Sequence, residues 1–295
     1  MTIKNKNILI TGGAGFIGSH LVDKLCKNNK VTIIDNLSTG LEENINEKAT
    51  FYNLDIKEDL DNIFQKHKFN YVFHLAAFIN LRESFEDPIK CMDVNLSGTI
   101  NLINNCKKYN IEKFIFSSTG GAIYDEMALL PFTENSKVNP KSPYGLSKLF
   151  AEKYIENSGV NYINLRYSNV YGPRQNAKGE AGVISIFMDN VLSNKPLQVF
   201  GDGFQSRDFV HVNDVVDANI LCAEKALNKT YNISTNKETS LLQLIQLLKN
   251  KFNKDLEVSF LERKQEMKYC SLSYDLIDKE LGWYPKYTIT DYLKP

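Results

Sequence analysis

The stretch NILITGGAGFIGSHLVDKL at residues 7–25 decides the fold. Its first five residues, Asn7–Thr11, form a short apolar run of the kind that makes a buried strand. Gly12, Gly15 and Gly18 follow at once, and the apolar pattern over 17–28 reads as a helix. Strand, glycine turn and helix in that order form the setting in which three such glycines cradle a pyrophosphate. Gly12 allows the tight turn, Gly15 lets backbone approach the ligand, and Gly18 lets the helix pack close to the sheet. Phe16 and Ile17 open the helix, whose free N–H groups and partial positive charge suit phosphate.

Working outward, β-branched and aromatic runs recur at 31–35, 51–55, 71–75, 113–118 and 162–166, with helical patterns at 89–109 and 144–156. Several runs are apolar on both faces, as buried parallel strands are. Regular alternation of this kind predicts an α/β fold, a Rossmann-type doubly wound parallel sheet. The regularity fades after Arg166. Helices at 183–192, 215–225 and 241–252 and short strands at 197–200 and 209–212 predict a smaller mixed α/β lobe closing over the strand ends. The expected division is a dinucleotide-binding domain over 1–168, to which 207–226 returns, and a substrate lobe built mainly from 169–295.

Composition excludes several classes. Lys plus Arg and Asp plus Glu both number 35, so no net charge draws the 295-residue chain to nucleic acid or an anionic membrane. No stretch approaches the ~20 apolar residues of a membrane span. The five cysteines are scattered without a CxxC pair, which points to reduced thiols in a cytoplasmic enzyme and to no metal site.

Candidate site residues follow the strand ends. Asp35 ends the second strand, where a carboxylate binds adenosine ribose hydroxyls and repels a 2′-phosphate, favouring NAD over NADP; with Asn36 it also suits a turn. Asp55 and Ile56 suit either an adenine-flanking position or a simple turn. His74 opens the string HLAA, in which Leu75, Ala76 and Ala77 leave room for a ligand and His74 reads as structural. Tyr144 and Lys148, in YGLSK, lie at i and i+4 and so share a helix face. Tyrosine titrates near ~10, and a neighbouring ammonium stabilises its phenolate, giving a general base near neutral pH.

These residues resemble the extended short-chain dehydrogenase/reductase family, and within it the UDP-glucose 4-epimerases. The strings TGGAGFIG, DNLSTG, HLAA, NLSGT from Asn95, SSTGGAIY, YGLSK, LRYSNVYGPRQ and RDFVHVNDV occur in family order across nearly the whole chain. The resemblance implies resident NAD, with Asn95 among the residues around it. It implies oxidation of the sugar at C4 while Tyr144 removes the hydroxyl proton, rotation of the 4-keto sugar, and re-reduction on the other face. Lys148 would hold the nicotinamide ribose and lower the Tyr144 pKa. The third polar group would be Thr119 or, because the loop is one residue longer than usual, Ser118.

The same loop bears on rival chemistries. Related 4,6-dehydratases carry an acid–base pair after the threonine and related uronate decarboxylases a glutamate, whereas here Gly120, Gly121 and Ala122 follow. Asn169 matches a residue that binds the substrate phosphate or sugar, Arg207 and Arg263 the arginines that clamp the pyrophosphate, and Glu266 the acid that holds the uridine ribose. Arg263 to Glu266 lacks the family's usual glycine. Ile79 replaces a lysine that reaches the cofactor in some members, with Arg82 as a partial substitute. Cys270 matches a wall residue beside C2 of the hexose and, being small, would admit N-acetylated sugars; a buried gap-filling cysteine is the other reading. Leu96, Ile100, Ile103, Leu149, Phe150 and Tyr154 give the helices 89–109 and 144–156 apolar residues on more than one face, from which a homodimer is expected. The alternatives are an epimerase of another nucleotide sugar such as UDP-glucuronate, a net NAD(P)-dependent keto-sugar oxidoreductase, and a non-catalytic NAD sensor.

Overall fold

A computed structural model describes residues 3–176, 182–263 and 267–294. Its strands are β1 (Asn7–Thr11), β2 (Lys30–Asp35), β3 (Thr50–Asn53), β4 (Tyr71–His74), β5 (Lys113–Thr119), β6 (Tyr162–Tyr167), β7 (Asn169–Tyr171), β8 (Leu197–Phe200), β9 (Ser206–His211), β10 (Lys229–Ile233), β11 (Glu238–Ser240) and β12 (Val258–Leu261). Seven of them form one sheet in the order β3-β2-β1-β4-β5-β6-β10, every pair parallel. The order reverses between β1 and β4, so a crevice opens there beyond the strand ends, the usual ligand position in such sheets.

The main helices are α1 (Phe16–Leu25), α2 (Asp61–His67), α3 (Glu83–Glu86), α4 (Pro88–Met92), α5 (Gly98–Lys108), α6 (Pro143–Glu156), α7 (Val183–Leu192), α8 (Val212–Lys225) and α9 (Leu241–Phe252). Alternate residues of β1 serve opposite faces. Ile8 and Ile10 pack with Leu21 of α1 and Val215 of α8, whereas Leu9 packs with Phe64 of α2, Leu102 of α5 and Ile155 of α6. Burial on both faces is why these strands lack a polar alternation. A separate core of Tyr171, Phe187, Val199, Phe209, Leu244 and Leu248 holds α7, α9, the sheet β11-β9-β7 and the pair β12-β8.

Three local features depart from the sequence reading. First, β10 extends the large sheet by pairing with β6; nothing local in KTYNI announces a partner so far back in the chain. Second, the helix expected over 89–109 is interrupted by a π-helical turn at Asp93–Ser97, a distortion often found at functional sites. Third, the strand expected to reach Val212 stops at His211, whose Nδ1 accepts the Asn213 N–H at 3.2 Å and caps α8. By contrast, α6 begins as its sequence suggests. Ser142 accepts the Gly145 N–H at 3.1 Å and Pro143 fills the first turn, both favourable at a helix start.

Candidate active site

The glycine turn occupies the crevice between β1 and β4. Gly12 has φ +72°, and a Cβ there would meet the Ala76 nitrogen at 2.6 Å; at Gly18 it would meet the Gly12 carbonyl at 2.0 Å. Gly15 donates to the Gly12 carbonyl at 3.2 Å and caps α1 without any side-chain bond. The first N–H groups of α1, from Phe16 and Ile17 onward, therefore have no side-chain cap and suit an anion. The other wall is backbone of HLAA: Leu75 donates to the Thr11 carbonyl at 3.1 Å, Ala76 to the Thr11 hydroxyl at 3.3 Å, and Ala77 follows, half-buried.

Asp35 closes one end of this cradle. Its carboxylate accepts N–H groups from Ala14 at 3.0 Å and Leu37 at 2.9 Å. Burial pushes its pKa up, and those two bonds pull the other way. Asn36 donates to Asp55 at 3.1 Å, tying the ends of β2 and β3 together. Ile56, by contrast, turns its side chain into the core beside Phe64 and Leu102. His74 bridges the Thr11 hydroxyl at 2.7 Å and the Thr99 hydroxyl at 2.9 Å, fully buried, with its pKa pushed well down by burial and by Lys148. A ring committed at both nitrogens is a brace between β1, β4 and α5.

Across the crevice, burial pushes the Tyr144 phenol up to about 12 and the neighbouring Thr119 hydroxyl pulls it down. Lys148 donates to the Ser117 carbonyl at 2.9 Å and lies 4.9 Å from the centre of the Phe116 ring. Burial lowers its pKa to about 8, against the opposing effects of Cys91 and Glu152. Of the two candidate hydroxyls, Ser118 is committed elsewhere: it donates to the Glu152 carboxylate. Thr119 is the one that faces the phenol. Asn95, inside the π-helical turn, accepts the Phe78 N–H at 2.7 Å and donates to the Phe78 carbonyl and the Ser147 hydroxyl, each at 2.9 Å. It thereby ties the connection after β4 to the helix that carries Tyr144 and Lys148.

A cavity of about 370 Å3 lies beside this group, lined in part by Asn169, Arg207, Arg263, Arg82, Lys268 and Phe200. The two arginines and the asparagine singled out in sequence thus share one chamber, and guanidinium forks suit phosphate oxygens. Arg82 is here rather than at the dinucleotide cradle, with its guanidinium 5.2 Å from the Phe200 ring centre. Glu266 lies outside the described residues. Cys270 is buried in an apolar cluster with Ile123, Tyr124, Phe132 and Leu272, and burial raises its pKa to about 12.

Sequence reading passed over three supporting groups. Asp208, next to Arg207, accepts N–H groups from Thr235 and Asn236 at 2.9 Å each and the Thr235 hydroxyl at 2.7 Å, fixing the chain beside the arginine. Tyr167 shares a 3.0 Å bond with the Ser117 hydroxyl and a second with Asn219. Glu152 and Arg166 form a buried pair between α6 and β6. Each is a polar residue held in a buried position, in an element that carries other polar residues as well, so no local signal in the sequence singled it out.

A phosphate cradle at a sheet's switch point, facing a Tyr–Lys pair and a cationic chamber, defines a dinucleotide-dependent enzyme. The chain belongs to the NAD dependent epimerase/dehydratase family, whose profile matches residues 8–234. A UDP-glucose 4-epimerase from Mycolicibacterium smegmatis is 35% identical, covering 96% of this chain and 95% of that one. The crystal structure of the Thermotoga maritima UDP-glucose 4-epimerase with UDP-glucose superposes with a TM-score of 0.95 at 43% identity, covering 98% and 96% of the two chains. A UDP-N-acetylglucosamine 4-epimerase from Methanobrevibacter ruminantium, in complex with UDP-N-acetylmuramic acid, gives 0.93 at 36% identity, covering 99% and 97%. NAD fits the residues present, because the space a Cβ would fill at Gly12 and Gly18 is the space the turn needs beside an uncapped helix start. Among the described residues no group of three ligating side chains would hold a metal ion, and no helix is long and apolar enough to cross a membrane.

Proposed function

We propose that the protein interconverts UDP-glucose and UDP-galactose by inverting C4 of the hexose. When bound, NAD would be held by the glycine turn, Asp35 and the HLAA backbone and would supply reversible hydride transfer at that carbon. Tyr144 takes the proton of the 4-hydroxyl, Thr119 holds the shared hydrogen bond, and Lys148 keeps positive charge beside the phenolate. Arg207, Arg263 and Asn169 hold the diphosphate, leaving the sugar free to turn over between the two hydride steps.

The observation that carries this reading is the poverty of acids around Thr119. Gly120, Gly121 and Ala122 follow it, and the next carboxylate, Asp125, pairs with Lys137 at 2.8 Å. Glu152 is held by Arg166 at 2.7 Å. Elimination across C5–C6 needs an additional acid and base, whereas C4 inversion uses Tyr144 alone. Cys270 is small, and a small residue at this position would leave the C2 side open to an N-acetyl group. Further support for a homodimer comes from apolar side chains left in solvent on α3, α4 and α6: Phe85 is 57% exposed, Ile89 81% and Phe150 47%. Of the residues counted toward that face from sequence, Ile103 instead lies in the core, Leu96 and Tyr154 pack against it, and Leu149 packs against the Cys270 cluster.

The test is a panel of UDP-glucose, UDP-galactose, their N-acetylated forms and UDP-glucuronate, each incubated with purified protein and resolved by chromatography. The expected result is interconversion of the plain and N-acetylated pairs. Inversion of UDP-glucuronate alone, or formation of a 4-keto-6-deoxy product, would reject the proposal.

A further inference from the structure

We propose that Glu152, held by Arg166, is a positioning residue that sets the Tyr144–Lys148 pair against Thr119. The inference rests on the catalytic reading above and extends it to a residue that touches neither substrate nor cofactor. Tyr144, Lys148 and Glu152 follow at i, i+4 and i+8 on α6 and so lie along one face. Glu152 is fully buried. Its two carboxylate oxygens accept Arg166 Nε at 3.0 Å and Nη2 at 2.7 Å, a bidentate fork. Ser118 donates to the same carboxylate.

Ser118 and Arg166 are cross-strand partners in the β5–β6 register, one step before Thr119 and Tyr167. One carboxylate therefore stitches the catalytic helix to both strands whose ends form the floor of the site. The other end of Arg166 extends the tie. Its Nη1 donates to the Tyr124 hydroxyl at 3.0 Å, which donates to Asn232 of β10 at 2.6 Å. Tyr124 belongs to the apolar cluster of Cys270, so that cluster hangs from the same pair. A buried ion pair adds little net stability over apolar packing of the same volume. What it does add is direction, because a fork and an O–H bond hold angles that apolar contacts do not.

Glu152 also acts on charge. The groups that bear on Lys148 are the Cys91 thiol of α4, Glu152 of α6 and His74 of β4, with the Ser117 carbonyl and Phe116 ring on the β5 side. Cys91 is a buried thiol whose pKa burial raises, so it stays neutral near pH 7, and His74 is held neutral. Glu152, its charge partly balanced by the Arg166 fork, thus raises the Lys148 pKa against the effect of burial. Without it Lys148 gives up its proton at lower pH, and the phenol loses its support.

The experiment compares wild type, Glu152→Gln and Glu152→Asp, each with bound NAD quantified and fold checked by circular dichroism. For Glu152→Gln the expected results are unchanged NAD content, a KM for UDP-galactose within about twofold, and a kcat about tenfold lower, the scale on which small misplacements act. The alkaline limb of its kcat profile should move down by about half a pH unit or more. Glu152→Asp keeps the charge but shortens the reach, so its limb should stay in place while kcat falls. If Glu152→Gln does not fold, a folded Glu152→Asp with wild-type kcat overturns the proposal. So does a folded Glu152→Gln with wild-type kcat and an unmoved limb. The NMR shift of the Lys148 Cε in isotope-labelled protein, assigned by comparison with Lys148→Arg, needs no substrate. Its midpoint should fall in Glu152→Gln, and an unmoved midpoint overturns the inference even if the wild type inverts no UDP-sugar.

Discussion

In the proposed mechanism Tyr144 is the residue on which the chemistry turns. Burial pushes its phenol up and Thr119 pulls it down, which leaves a poor base by itself, and the proposal gives Lys148, four residues on along α6, the role of supplying the charge that makes it usable. Tyr144→Phe should lower kcat by ~10² to 10⁴, the usual worth of a general base, while bound NAD stays at the wild-type level; stopped assays with nucleotide extraction measure both. Retention of more than about a tenth of wild-type kcat would mean that another group is the base. The pH dependence has a definite sign. Lys148 is charged below its depressed pKa of about 8 and neutral above it. Its help to the phenol is therefore present at lower pH and lost as pH rises through that value. A kcat/KM profile for the enzyme should show this alkaline limb, and a profile still rising beyond pH ~9 would contradict it. The choice between Ser118 and Thr119 was not legible in sequence, because both are small hydroxyls at one strand end. What separates them is a carboxylate from another element, Glu152, which takes the serine.

At the scale of elements, the glycine turn and the helix starts were legible because their causes are local. A positive φ at Gly12 and a close approach at Gly18 admit no side chain, and α6 announces itself through Ser142 and Pro143. Gly18→Ala would bring a Cβ within 2.0 Å of the Gly12 carbonyl, so α1 must shift away from the turn. The expected outcome is a protein with a lowered Tm that is purified with little bound NAD, measured by thermal unfolding and nucleotide extraction. A Gly18→Ala protein with wild-type Tm and full NAD would show that the turn tolerates what its geometry forbids. The π-helical turn was not legible, because one extra residue per turn leaves the apolar pattern over 89–109 nearly intact. The reason for it lies across the site, where Asn95 must reach both Phe78 and Ser147. β10 escaped for a related reason: its partner β6 precedes it by a whole stretch of second-lobe chain.

At the scale of the whole molecule, the parallel sheet brings the cradle and the Tyr–Lys pair to one edge, and the second core places the cationic chamber above them. Among the described residues, apolar side chains on α3, α4 and α6 stay in solvent, as Phe85, Ile89 and Phe150 show. A two-fold pairing through these helices would cover them. Light scattering at micromolar concentration should therefore give a dimer mass, and a monomer mass would reject the pairing. Glu266 and its neighbours, expected from sequence to hold the ribose of the nucleotide, lie outside the described residues, so that role rests on sequence alone.

The central claim is that one bound NAD serves both hydride steps on the same sugar carbon, so that no reducing equivalent leaves the enzyme. The direct measurement is to incubate the purified protein with UDP-galactose and no added nucleotide, following UDP-glucose by chromatography and reduced nicotinamide by absorbance. Many turnovers to UDP-glucose are expected, without stoichiometric accumulation of reduced cofactor. Formation of one reduced nicotinamide per sugar consumed, or no conversion of UDP-galactose until NAD(P)H is supplied to a cofactor-free protein, would contradict the central claim.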